Sequence, residues 1–369
     1  MLAKFSVSNF KGFDNELVFN LSEPNGYGFN SECIKNGIIN NALVYGHNGS
    51  GKSNLGLAIF DIIGHLTDRQ RYESFYTFYL NAKRASDLAY FRYEFKFDSF
   101  QVVYEYQKSD YKTLVYECLS IDDTVMAQID RNSNEEAIIK FKGAEHLKRT
   151  LTNQNLSLLK YIKSNTELDQ DEVNACFLNF FKFVESMLFF RSLQENIYLG
   201  LEVGSRELST DIIEHGHVQD FEQFLNDAGI ECKLTVVRES EKDVLAFDFD
   251  GKAIAFQHLA SSGTLALWLF YYWFQRLVNM KVSFLFIDEF DAFYHHELST
   301  LILKKLKKLG IQFILTSHNA SIITNDLLRP DCYFLLNKGT IQPLSKLTSK
   351  ELREAHNIEK MYKAHSFHV

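Results

Sequence analysis

The chain has 369 residues, 46% of them apolar and 23% charged, a globular composition with room for two or three ordinary domains or for one large domain carrying an insertion. With 39 basic against 47 acidic residues the net charge is −8, which excludes an overall positive field that would gather nucleic acid or anionic lipid and leaves at most a local basic strip. Three prolines argue against long Pro-rich linkers, whereas 33 Phe and 18 Tyr make the aromatics the compositional anomaly.

In chain order, residues 2–45 read as strands and turns: Phe5 and Val7, the stretch 10–13, 17–21, a turn at Pro24-Asn25-Gly26 and an apolar strand 42–45. The opening alternates like a strand and lacks the apolar centre of a signal peptide. A glycine-rich loop follows, and Leu55, Ala58, Ile59 and Ile62 give 54–66 the spacing of a helix. From 90 to 106 the pattern has a strict period of two, with Phe91, Tyr93, Phe95 and Phe97 opposite Arg92, Glu94, Lys96 and Asp98. That pattern predicts an antiparallel hairpin whose aromatic face packs on helices rather than on bases. Two helices are expected over 145–163 and 169–190, with heptads too irregular for a long coiled coil.

Strand character returns over 234–249, followed by a small polar patch at 261–264 and a buried helix over the apolar run 265–274. That run is about half the roughly 20 residues a membrane span needs, so no membrane association and a cytoplasmic location are expected. An apolar strand (284–287), a basic amphipathic helix (298–309) and another strand (313–315) complete a β-α-β order. Cys33, Cys118, Cys176, Cys232 and Cys332 are odd in number and widely spaced, which suits reduced core residues better than disulfides or a zinc knuckle.

Three constellations carry chemistry. Gly46-His47-Asn48-Gly49-Ser50-Gly51-Lys52-Ser53 satisfies G-x-x-x-x-G-K-[ST] between a predicted strand and a predicted helix that continues with Asn54. Such a loop closes backbone N–H groups around a polyphosphate, Lys52 reaches its terminal oxygens and the Ser53 hydroxyl is a ligand for Mg²⁺. The strand 284–287 delivers Asp288 and Glu289 to a sheet edge, Asp288 to hold Mg²⁺ and Glu289 to act as general base on the attacking water. His318 ends the next strand within Thr316-Ser317-His318-Asn319, placed to hydrogen-bond the γ-phosphate. His215-Gly216-His217 and His295-His296-Glu297 are read as loops, and Lys304, Lys305, Lys307 and Lys308 as a solvated helix end that complements its dipole.

With the opening FSVSNFKGF, the patch ASSGT, the run FLFIDEFDAFYHHEL, LTSHN and the tail REAHNIEKMYKAHSF, the chain resembles the ABC-type ATPases of the SMC and RecF superfamily. The resemblance is strongest to the compact OLD-like ATPases that serve as stand-alone subunits in bacterial anti-phage systems. It implies an α/β, P-loop NTPase head of the ABC type with a mixed sheet, an antiparallel β subdomain and a helical insert. Residues 1–143 would form an N-terminal lobe, 144–195 the insert and 196–369 a C-terminal lobe. The resemblance assigns Ser261, Ser262 and Gly263, with Thr264, to a signature loop that meets ATP held by a second protomer, although Ala260 and Thr264 depart from the common L-S-G-G-Q. It further assigns Lys11 to a basic position near the nucleotide, Asp291 and His296 to a loop coupling two sites, and Gln194 as the candidate Q-loop glutamine. ATP and Mg²⁺ are the implied cofactors, and a homodimer or higher homo-oligomer sandwiching ATP is the implied assembly. The expected output is a switch controlling a separately encoded nuclease or toxin, because too few residues follow His318 for a fused Toprim domain. The alternative is a RecF-like repair ATPase that clamps DNA, against which the net charge weighs; a transporter ATPase fits the opening motif less well.

Overall fold

The computed structural model describes residues 1–369 apart from 70–72, 84–85, 134–135, 192–197, 201–207, 240–241, 280–281, 293–295 and 368–369. Among the described residues the strands form two seven-stranded sheets, a three-stranded sheet and a small two-stranded one. The first large sheet is antiparallel, in the spatial order Ile138–Ile139, Thr124–Asp130, Leu114–Ile121, Phe100–Lys108, Ala89–Phe97, Leu2–Ser8 and Leu17–Asn20. The second is mixed: Tyr198–Gly200, Met187–Arg191, Phe284–Asp288, Gln312–Ser317, Asn41–Tyr45, Tyr333–Asn337 and Thr340–Pro343. Its five inner strands are parallel and its two edges antiparallel. Asn41–Tyr45, Phe284–Asp288 and Gln312–Ser317 are buried along their whole length, which is why they read as unbroken apolar runs rather than as alternation.

The hairpin expected over 90–106 is present as Ala89–Phe97 and Phe100–Lys108, and its period of two sorts the faces as anticipated. Phe91, Tyr93 and Phe95 are buried, and Phe95 sets its ring 5.5 Å from Phe180 and 5.3 Å from Phe183 on the helix Glu172–Glu185. Much of the phenylalanine excess therefore lines the seam between this sheet and that helix. Tyr93 donates from its hydroxyl to the Ala58 carbonyl at 2.9 Å, so the same face also braces the helix Lys52–Ile59.

Within the strands and turns expected over 2–45, the stretch 10–13 is a tight turn, with Phe10 and Phe13 exchanging backbone hydrogen bonds at 3.0 and 2.8 Å and Lys11 at φ 48°. Three expectations need correction. The helix expected over 54–66 runs from Lys52 to Ile59, breaks at Asp61 and resumes for one turn at Ile63–Leu66. Of 145–163 only Leu158–Asn165 is helical, because Asn153 folds its side chain onto the Asn155 N–H at 2.9 Å and Ser157 caps the helix from its own hydroxyl. The helix expected over 169–190 ends at Glu185, and Met187–Arg191 enters the mixed sheet beside Phe284–Asp288. The stretch 144–195 thus contributes a central strand as well as helices. A short apolar run buried on both faces carries no period to distinguish strand from helix.

The helix Lys52–Ile59 lies unusually close to the mixed sheet. A Cβ on Gly56 would stand 2.6 Å from the Phe286 ring and 2.7 Å from the Phe189 ring. Gly56→Val is therefore expected to push the helix off the sheet and lower stability by about 1–3 kcal/mol, read as a reduced urea midpoint. A midpoint equal to that of the parent would show that the helix has slack here.

Candidate functional site

The parallel strands carry the separated motifs to one edge. Met187–Arg191, Phe284–Asp288, Gln312–Ser317 and Asn41–Tyr45 run in the same direction, with Arg191 level with Asp288 and Ser317 level with Tyr45. Their C-terminal ends place the loop 46–51, Asp288-Glu289 and His318 together, at the edge where open α/β sheets bind ligands.

The loop is folded around its own backbone. Gly46 is buried and donates to the Ser317 carbonyl at 3.3 Å, while Ser50 N–H donates to the His47 carbonyl at 3.1 Å. Asn48 and Gly49 are exposed; Ser50, Gly51, Ser53 and Asn54 are partly buried. Gly51 has φ +103°, a conformation only glycine adopts without strain, and it turns the chain into the helix that starts at Lys52. Lys52 is buried and its ammonium donates to the Gly46 carbonyl at 2.6 Å and to the His47 carbonyl at 3.1 Å. Burial pushes its pKa down, and the carboxylates of Glu289, Asp288 and Asp291 pull it back up. The Ser50 hydroxyl is buried in the loop with no hydrogen-bond partner.

Across the edge, Asp288 is fully buried. Its Oδ1 accepts from the Thr316 hydroxyl at 2.7 Å, and the same hydroxyl accepts from the Glu289 N–H at 2.8 Å. Glu289 itself is half-buried at φ 52°, a left-handed conformation that a glutamate adopts only where its surroundings impose it. Asp288 Oδ2 accepts no hydrogen bond and lies 3.1 Å from Nε of Arg191, whose Nη2 donates to the Ser53 hydroxyl at 3.1 Å. Asp291 accepts from the Ser317 hydroxyl at 2.7 Å; burial raises its pKa against that hydrogen bond and the field of the nearby His318. His318 is exposed, and His296 shares a 3.3 Å hydrogen bond with Ser321.

Lys11 reaches toward the same helix from the other side. Its ammonium donates to the Thr77 carbonyl at 3.1 Å, burial lowers its pKa, and a Cβ on the adjoining Gly12 would stand 3.0 Å from Asn54 Nδ2. A cavity of about 690 Å³ opens there, lined by Lys11, Asn54, Tyr76, Phe78, Tyr79 and Tyr111 among others.

Ser261, Ser262 and Gly263 belong to another layer of the fold. They open the helix Ser262–Asn279, which packs on Leu208–Glu214 and Val218–Asp227 near the three-stranded sheet. Ser261 accepts from the Thr264 N–H at 3.2 Å and shares a 2.8 Å hydrogen bond with its hydroxyl, and both Ser261 and Ser262 are exposed. Gln194 and His295 lie outside the described residues.

Among the described residues no group of three or more His, Cys, Asp or Glu side chains is arranged to hold a metal, and no helix is long and apolar enough to cross a membrane. Of the lysine run, Lys307 pairs with Glu32 at 2.7 Å and Lys305 lies over Phe224. Sequence reasoning overlooked Thr316 and Arg191. The first was signalled by a polar residue ending an apolar strand; the second directly follows the run 169–190 taken for a helix.

A family model described as "AAA domain, putative AbiEii toxin, Type IV TA system" matches residues 42–324, a span that takes in the phosphate loop, Asp288-Glu289 and His318. Among solved structures the chain is similar to an SMC head domain from Thermotoga maritima, at 15% identity and a TM-score of 0.44, covering 93% of this chain and 98% of that one. It is also similar to an SmcHead bound to the C-winged helix domain of ScpA, at 15% identity and TM-score 0.45, covering 94% and 98%. An Smc head domain with an extended coiled coil, bound to the C-terminal domain of ScpA derived from Pyrococcus furiosus, matches at 12% identity and TM-score 0.43, covering 94% and 97%. No curated protein matches the chain.

Proposed function

The chain belongs to the AAA-domain family of the AbiEii, type IV toxin–antitoxin kind, and from that premise we propose that it is a Mg²⁺-dependent ATP hydrolase working as an ATP-gated dimeric switch. The observation that carries this is the convergence of Lys52, Ser53, Asp288, Glu289 and His318 on one edge of the mixed sheet.

The donors suit the implied metal. The Ser53 hydroxyl and Asp288 carboxylate are hard oxygens of the kind Mg²⁺ prefers, and the guanidinium of Arg191, itself a cation, already lies against both of them. When bound, the metal neutralises charge on the phosphate oxygens. Lys52 exchanges its two loop carbonyls for phosphate oxygens, and the backbone N–H groups of 47–49 and 51 with the unpartnered Ser50 hydroxyl enclose the anion. Glu289 accepts the proton of the attacking water, its carboxylate aimed by the left-handed backbone and the Thr316 hydrogen bond. His318 hydrogen-bonds the γ-phosphate, and Lys11 with the aromatic cavity beside Asn54 takes the nucleoside.

Ser261, Ser262 and Gly263 of a second copy close the site by presenting a helix N-terminus to the γ-phosphate. Bound ATP then bridges protomers and its cleavage releases them. The family description supports a toxin–antitoxin setting; control of a separate effector, in that or an anti-phage setting, is the output proposed for this cycle. The test is Lys52→Ala: binding of a fluorescent ATP analogue is expected to weaken by about 10²-fold or more, given the loss of the buried charge on the phosphates. Wild-type affinity in that variant would overturn the site assignment.

A further inference from the structure

We propose that Arg191 is a built-in cation that competes with the divalent metal for the two side chains expected to hold it, so that metal enters this site together with nucleotide rather than alone. The inference rests on the assignment of Ser53 and Asp288 to the metal.

Arg191 is fixed by the sheet. It ends the strand Met187–Arg191 level with Asp288 on the adjoining parallel strand, so its side chain starts at the same edge as the carboxylate. Its guanidinium spans both groups, with Nε 3.1 Å from Asp288 Oδ2 and Nη2 3.1 Å from Ser53 Oγ. Oδ1 is already committed to Thr316, which leaves Oδ2 as the oxygen that metal and guanidinium both require. A Mg²⁺ ligated by these two oxygens at about 2.1 Å would lie in the space the guanidinium spans.

Arginine cannot resolve the conflict by losing its proton, so it has to move. Its side chain is 21% exposed, whereas Asp288 is fully buried, so the guanidinium has a route outward and the carboxylate has none. A triphosphate seated on the loop offers that displaced guanidinium a new anion, because a planar fork pairs with phosphate as readily as with carboxylate. Nucleotide thereby removes the competitor and metal affinity rises with it. Arg191 is a positioning residue in this scheme: it holds Ser53 and Asp288 in register until both ligands are present.

The test titrates Mn²⁺ by electron paramagnetic resonance, with and without a non-hydrolysable ATP analogue, in the parent protein, Arg191→Gln and Arg191→Lys. Arg191→Gln is expected to bind Mn²⁺ alone about ten-fold more tightly than the parent, and the gain produced by the analogue is expected to shrink by the same factor. Arg191→Lys keeps the charge but cannot fork across two oxygens, and should fall between the two. Thermal unfolding gives a second readout: without its partner Asp288 is a buried unpaired carboxylate, so Arg191→Gln should unfold earlier than the parent in EDTA and recover with Mg²⁺. Equal or weaker Mn²⁺ affinity in Arg191→Gln overturns the inference; should that variant not fold, equal or weaker affinity in Arg191→Lys does so. A parent protein that binds no Mn²⁺ even with the analogue, and is matched by Asp288→Asn, overturns the metal assignment itself.

Discussion

Replacing Glu289 with Gln is expected to slow ATP hydrolysis by about 10²–10⁴-fold while leaving ATP affinity near that of the parent. The substitution keeps the shape and the half-buried position of the side chain but removes the oxygen that would take a proton from water. The backbone should hold its place, since the Glu289 N–H is anchored on the Thr316 hydroxyl and its φ of 52° follows from the chain path after Asp288. Single-turnover assays separate the chemical step from binding, and light scattering in ATP should find the variant trapped as a dimer. Hydrolysis within a few-fold of the parent would remove Glu289 from the chemistry. Asp288→Asn differs in kind: it should weaken metal-dependent binding as well as turnover.

The second large effect concerns stability. Lys108 and Asp61 form a 2.6 Å ion pair with both side chains fully buried, and Asp61 also accepts from the Tyr106 hydroxyl at 2.9 Å. Lys108 ends a strand of the antiparallel sheet, whereas Asp61 sits in the break just past the helix that carries Lys52. Lys108→Met removes one side of this pair, and breaking a buried pair from one side costs about 3–5 kcal/mol. Urea unfolding followed by circular dichroism should report a loss of that size. Adding Asp61→Asn removes the buried negative charge while keeping a partner for Tyr106, and should restore more than half of the loss. A single variant that loses under about 1 kcal/mol would mean that water or another cation reaches Asp61.

The placement of the glycine loop, Asp288-Glu289 and His318 at one sheet edge was legible in the sequence because it depends on local order: a glycine loop between strand and helix, and polar residues at the ends of apolar strands. The α/β fold, with its mixed sheet and its antiparallel one, was legible for the same reason, together with the spacing between these motifs. Arg191 was not, since Met187-Leu188-Phe189-Phe190 continues the aromatic character of the helix before it and only the pairing with Phe284–Asp288 identifies it as a strand. The turn that seats Lys11 was announced by the glycine of N-F-K-G-F, but the positive φ of Asn9 and Lys11 themselves was not. The Lys108–Asp61 pair joins residues distant in the chain with no motif around either, and burial of that kind is settled only by tertiary packing.

The order of strands in the mixed sheet also bears on how the protein is made. Asn41–Tyr45, which leads into the phosphate loop, has Gln312–Ser317 on one side and Tyr333–Asn337 on the other, both from the last part of the chain. During synthesis from the N-terminus, this apolar strand waits unpaired on the ribosome while the antiparallel sheet can already assemble around it. Nucleotide cannot act as a folding template early, because the edge proposed to receive it closes only when the final strands arrive. Parallel pairing over such separations is slow and leaves strand edges open, so the interval before the last strands arrive is the one in which this chain is most exposed to aggregation.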